Sequence, residues 1–112
     1  MAMLDMRKLF EIKNVRAQYS GAQTAQIVIA APSAKTRIAI DKVAFSASTI
    51  GDVIFLSGST PIGPRLYHGA RGGFVVDDLS LFCGYAEDFA ITTTATGIAV
   101  LYVEYHLEGG SL

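Results

Sequence analysis

From Ala22 onward the chain is a series of short apolar runs, each cut off by Gly, Ser, Thr, Pro or Asp. Strands spaced in this way close into a sandwich or a barrel. The first clear strand is Thr24 to Ala31, stopped by Pro32, and Pro32-Ser33-Ala34-Lys35 reads as a turn. The next strand is Thr36 to Ser48. Ile38 and Ile40 share one face, whereas Val43 and Phe45 alternate on the opposite parity. A slip of one residue throws every later side chain onto the wrong face, so a β-bulge is predicted at Asp41-Lys42.

Gly51-Asp52 turns the chain into Val53-Ile54-Phe55-Leu56, which is apolar on both faces and therefore belongs mid-sheet or at an interface. Ser57 to Gly63 is expected as a loop, Pro64 to His68 as a short edge strand, and Gly69 to Gly73 as a turn before Phe74-Val75-Val76. Leu79 to Asp88 is expected to be irregular, with Phe82 and Tyr85 tucked under it. Phe89 to Thr94 is expected to pair with Ile98 to Leu107 through the turn Ala95-Thr96-Gly97. In that last strand Leu101, Val103, Tyr105 and Leu107 form the core face.

Seven or eight strands in one chain of 112 residues give a single all-β domain, an antiparallel β-sandwich of two sheets. A jelly roll is the first choice and an immunoglobulin-like sandwich the second. The sandwich domain is assigned to residues 21–112 and an N-terminal arm to residues 1–20. A short helix capped by Asp5, an extended arm and an edge strand all fit that first segment. Its large apolar residues Leu4, Leu9, Phe10, Ile12 and Val15 predict packing on this domain or on a neighbour.

Composition agrees with folding. Hydrophobic residues make up 51% and charged residues 17%, the reverse of a disordered chain. No apolar stretch approaches the roughly 18 residues of a membrane helix. Glu11 and Lys13 stand where a signal peptide would need apolar residues, so no export signal is expected. A lone cysteine, Cys83, excludes an intrachain disulfide and fits synthesis in a reducing cytoplasm.

The net charge of −1 hides an imbalance. Residues 1–42 hold seven cations against three anions, and residues 43–112 hold two against seven. Either the charges scatter over a solvated surface, or they form opposite-signed faces that dock on neighbouring copies. The cations form no dense cluster, so nucleic acid is not an expected partner.

Residues for catalysis are few. Gly69-Ala70-Arg71-Gly72-Gly73 lacks the Lys and the context of a phosphate loop. Cys83 has acids near it in sequence, not bases, and reads as a small buried residue. Glu104 and His106 leave one face of a strand, and His68 could join them as a metal triad. Ordinary surface polarity explains the same residues, so no metal and no cofactor is expected. Calcium, which needs six to eight converging oxygens, is an option through Asp77, Asp78, Glu87 and Asp88, but two adjacent acid pairs in loops are more often turn formers and strand terminators. The chain is read as a non-enzyme.

The stretch from Gln26 to Glu104 resembles small β-sandwich virion proteins of tailed bacteriophages, the capsid decoration (cement) class. The resemblance lies in Ile27-Val28-Ile29-Ala30-Ala31-Pro32, then Lys35 to Ile40 leading to Phe45-Ser46-Ala47-Ser48, then Val53 to Thr60. It continues through Gly72-Gly73-Phe74-Val75-Val76 and ends in Phe89 to Thr93 and Gly97 to Tyr105. It implies a jelly roll on the capsid exterior that forms homo-oligomers, expected as trimers, and clamps subunits of the major capsid protein. Leu4, Leu9 and Phe10 are the candidate arm contacts, and Arg65, Tyr67 and Arg71 the candidate loop contacts. The alternative is a receptor- or glycan-binding sandwich of a phage fibre or tail attachment. In that reading Arg65, Tyr67, Arg71 and Tyr85 would stack on sugars.

Overall fold

The computed structural model describes residues 11–77 and 81–109. Ten strand segments follow in chain order: β1 (Lys13–Ser20), β2 (Gln23–Ile29), β3 (Thr36–Ala47), β4 (Gly51–Ser57), β5 (Thr60–Pro61), β6 (Leu66–His68), β7 (Gly72–Val76), β8 (Leu81–Phe82), β9 (Phe89–Thr93) and β10 (Ile98–Gly109). They form two antiparallel sheets. The first has the order β1-β10-β3-β7, with β8 also on β3; the second has β2-β9-β4-β5, with β6 also on β4. The chain is therefore wrapped as a nested series: β1 lies on β10, β2 on β9, β3 on β7 and β8, and β4 on β5 and β6. That strand order, eight positions in two sheets, is the jelly roll.

The predicted bulge is present. Glu104 pairs with Lys42 and Tyr105 with Ile40, so Asp41 is the extra residue between them. Ile38 and Ile40 before it and Val43 and Phe45 after it all reach the core, because the inserted residue restores the parity that the sequence breaks. On the facing strand Leu101 and Val103 are fully buried. Val53, Phe55, Phe89 and Ile91 close the core from the second sheet. The Phe55 and Phe89 rings stack there with centroids 5.4 Å apart. β4 lies between β9 and the β5/β6 edge, the interior position its two-sided apolar pattern requires.

Several expectations are corrected. Phe89–Thr93 and Ile98–Gly109 do not form a hairpin: β9 belongs to the second sheet and β10 to the first. The residues between them turn a corner of the sandwich. Ala95 plugs the end of the core, Gly97 accepts a bond from Gly21 N (3.1 Å), and Ile98 accepts one from Ser48 N (2.9 Å). Three chain corners are thereby tied together at this end. Of the three forms open to the first segment, residues 13–20 take the edge strand: they are β1, paired residue for residue with β10. Lys13, Val15, Ala17 and Tyr19 point inward and Asn14, Arg16, Gln18 and Ser20 outward. Lys13 and Ala17 carry too little apolar weight to reveal that period. Phe82 and Tyr85 are not tucked under their segment but stand 40% and 48% exposed, and Cys83 takes the inner position instead. The loop expected from Ser57 to Gly63 contains the short strand β5.

Candidate interaction surfaces

The outer face of the first sheet carries two contrasting regions, both fixed by strand register. Towards the corner end, one row reads Arg16, Tyr102, Ala44, Val75, and the next Gln18, Val100, Ser46, Gly73. Small residues in the middle and larger ones at the sides leave a shallow depression of about 580 Å³, lined by Ala44, Ser46, Gly73, Val75, Val100 and Tyr102, with Arg71 at its rim. Gly73 is obligatory in this floor: a Cβ there would lie 1.8 Å from the Phe45 carbonyl oxygen. Val75 is 63% exposed, an apolar side chain held outward by alternation.

Towards the other end the same face is a polar network. His106 Nδ1 lies 2.9 Å from Asp41 Oδ2, and His106 Nε2 lies 2.9 Å from Glu108 Oε2. Arg37 Nη2 reaches Glu108 Oε1 at 2.8 Å, and its guanidinium sits 4.2 Å over the Phe82 ring and 5.5 Å from that of Tyr85. When protonated, His106 has an N–H on each ring nitrogen and can donate to both carboxylates at once. Burial alone would lower its pKa, but the hydrogen bonds to Asp41 and Glu108 outweigh this and hold it above the ordinary histidine value. The His106 bond, assisted by Arg37, holds Glu108 below the ordinary carboxylate value. Between the two regions Tyr102 donates its hydroxyl to Glu104 (2.7 Å), which raises the phenol's pKa, and Lys42 faces Asp77 at 3.7 Å.

Among the described residues, three of these pairs bear on the charge imbalance. Lys42 with Asp77, Arg37 with Glu108 and Asp41 with His106 each join a residue of the first 42 to one beyond it. Strands from the two halves alternate in the first sheet, so these opposite charges meet across neighbouring strands.

Among the predicted contacts, Arg65 and Tyr67 come together. Arg65 Nη1 binds Asp52 Oδ2 at 3.0 Å, and Tyr67 is the register partner of Asp52, with its ring 76% exposed. Arg71 is set apart, on the turn that leads into β7, with φ of 55°. Tyr85 is at the opposite end, where Ala86 N bonds the Thr36 carbonyl. Leu4, Leu9 and Phe10 lie outside the described residues. His68, Glu104 and His106 do not converge: His68 is buried in the second sheet against Phe45 (centroids 5.2 Å), while Glu104 and His106 are on the first. Among the described residues no group of three or more His, Cys, Asp or Glu side chains is placed to hold a metal ion. Burial pushes the Cys83 thiol up to about 11, which keeps it protonated. Sequence reasoning located the bulge and His106 separately; what it missed is that the bulge brings Asp41 to His106.

No protein-family model matches the chain, and no curated protein matches it. Solved structures similar in backbone include the coat protein of tobacco streak virus, a dimer, at 15% identity, covering 90% of this chain and 88% of that one with a TM-score of 0.41. Another is the virus-like particle of extra small virus of the prawn Macrobrachium rosenbergii, at 18% identity, 89% and 80% coverage and a TM-score of 0.40. A third is the disulfide-linked pilus of Bacillus endospore appendages, at 18% identity, 85% and 86% coverage and a TM-score of 0.38. The jelly-roll assignment is made from this chain's own strand order.

Proposed function

We propose that this chain is a structural virion protein, a capsid decoration protein that associates with its own copies and binds neighbouring subunits of an assembled shell. The observation that carries this reading is apolar side chains left outside a well-formed core. Ile50 and Ile98 stand exposed at the corner end, Val75 on the outer face of the first sheet, and Ile27 and Tyr67 on the second sheet. Exposed apolar residues on a rigid scaffold are what a subunit offers to partners. Many weak symmetric contacts then act together. The resemblance of Gln26–Glu104 to phage decoration proteins supports the same role, and residues 1–10, with Leu4, Leu9 and Phe10, are the proposed reaching segment.

The glycan-binding alternative rests on Arg65, Tyr67, Arg71 and Tyr85, of which Arg65 and Tyr67 share Asp52 as a neighbour. The shell reading is tested by mixing the purified protein with assembled shells and with free capsid subunits of the virus that encodes it, then sedimenting both. Co-sedimentation with shells alone is expected. No binding to shells overturns the reading.

A further inference from the structure

Each sheet has two edges, and an open edge offers unpaired N–H and C=O groups to any passing strand. Among the described residues, three of the four edges are interrupted. β2 loses register with β9 twice, between Gln23 and Gln26 and between Ile27 and Ile29, and Ala25 there has φ of 46°. The β5/β6 edge consists of segments of two and three residues, with Pro61 and Pro64 in or beside it. A proline has no N–H to give a ladder. β7 and β8, five and two residues long, pair with separate parts of β3. β1 is different. Its eight residues match β10 one for one without a shift, and among the described residues no strand lies on its other side.

We propose that β1 joins β1 of a second copy, antiparallel across a two-fold axis, so that the first sheets of two molecules become one continuous sheet. The proposal stands on the edge geometry and does not depend on the shell reading. Side-chain parity and charge choose its register. Opposed residues must point to the same face. A two-fold pairing meets that condition only when it is centred on a single residue. Centring on Arg16 or on Ala17 uses the strand most fully. The Arg16 register sets two guanidiniums directly opposite each other, which is unfavourable. The Ala17 register sets Ala17 against Ala17, Arg16 against Gln18 on the outer face, and Val15 against Tyr19 on the inner face. No like charges meet, and two pairs of a β-branched with an aromatic residue form, a favourable combination. Val15 and Tyr19, half-buried in one chain, would be covered from the open side.

Sedimentation equilibrium of the full-length protein across concentration tests this. The mass of two chains is expected at high concentration. Gln18→Arg places a like charge opposite Arg16 twice per dimer and raises the dissociation constant about tenfold. Gln18→Glu lowers it by about the same factor, and Arg16→Glu combined with Gln18→Arg restores tight pairing. Both side chains are exposed, so each chain's own sheet is left as it is. Ala17→Cys gives a disulfide-linked dimer on mild oxidation, whereas Gln18→Cys does not. The mass of three chains, as the resemblance implies, overturns the pairing alone; the mass of one chain overturns the pairing and the self-association, and leaves shell binding to the sedimentation test. A dimer indifferent to both charge variants at Gln18 overturns it as well.

Discussion

His106 and Asp41 meet at 2.9 Å because Asp41 is the extra residue of the bulge in β3 and His106 stands on the strand beside it. The bulge therefore does two things. It corrects the parity of the apolar residues, and it sets a carboxylate against the closing strand β10.

This contact gives stability a pH dependence of known sign. The folded-state pKa of His106 is above its ordinary 6.5, so its contribution is complete below 6.5 and is lost as pH rises through the folded value. Glu108 is held below its ordinary 4.5, so its contribution is complete above 4.5 and is lost as pH falls through that lower value. Stability from this network is greatest between those two ordinary values. With His106 only 16% exposed and its partners about one-third exposed, Asp41→Asn should cost about 1 kcal/mol near pH 6. Above the folded pKa the cost should shrink. Urea denaturation at a series of pH values checks both, and a variant with an unchanged alkaline limb contradicts the account.

Deleting Asp41 should be far worse than replacing it. Without the extra residue, Thr36 to Ile40 must slip by one position, which turns Ile38 and Ile40 outward. Both are essentially fully buried, and each contributes about 1.5–3 kcal/mol by burial. The deletion should abolish cooperative thermal unfolding, whereas Asp41→Ala should keep it. A deletion variant that melts like the parent would show that the bulge does not set the register.

Gly73→Ala is expected to destabilise by about 3 kcal/mol or more, because the new methyl meets the Phe45 carbonyl oxygen and β7 must leave β3. Gly69→Ala is the control: nothing lies within 4 Å of a Cβ there. Melting temperatures of the two variants should separate clearly, and similar values would contradict the close approach of β7 to β3.

The same contrast shows what the sequence carried and what it did not. Period-2 alternation in Thr36–Ser48 and Ile98–Leu107 was strong enough to locate the two longest strands and the bulge, since one face of each is buried and any slip is costly. Alternation failed for β1, where Lys13 and Ala17 hold inward positions at an edge and leave no apolar signature. It also could not say which strands pair. Thr94 to Gly97 is short enough for a hairpin, and only the burial of Ala95 and the bonds from Gly21 and Ser48 show a corner between sheets. The His106 network depends on that pairing, because Asp41 and His106 are 65 residues apart in the chain. Arg65 and Tyr67 were legible as surface residues, but their shared partner Asp52 follows from β4 lying beside β6.

The most direct test of the proposed shell role is the copy number of this protein in virus particles purified from its source, by quantitative mass spectrometry against the major capsid protein. Hundreds of copies per particle, in a simple ratio to the capsid protein, are the predicted result. Complete absence from the particles would contradict the account.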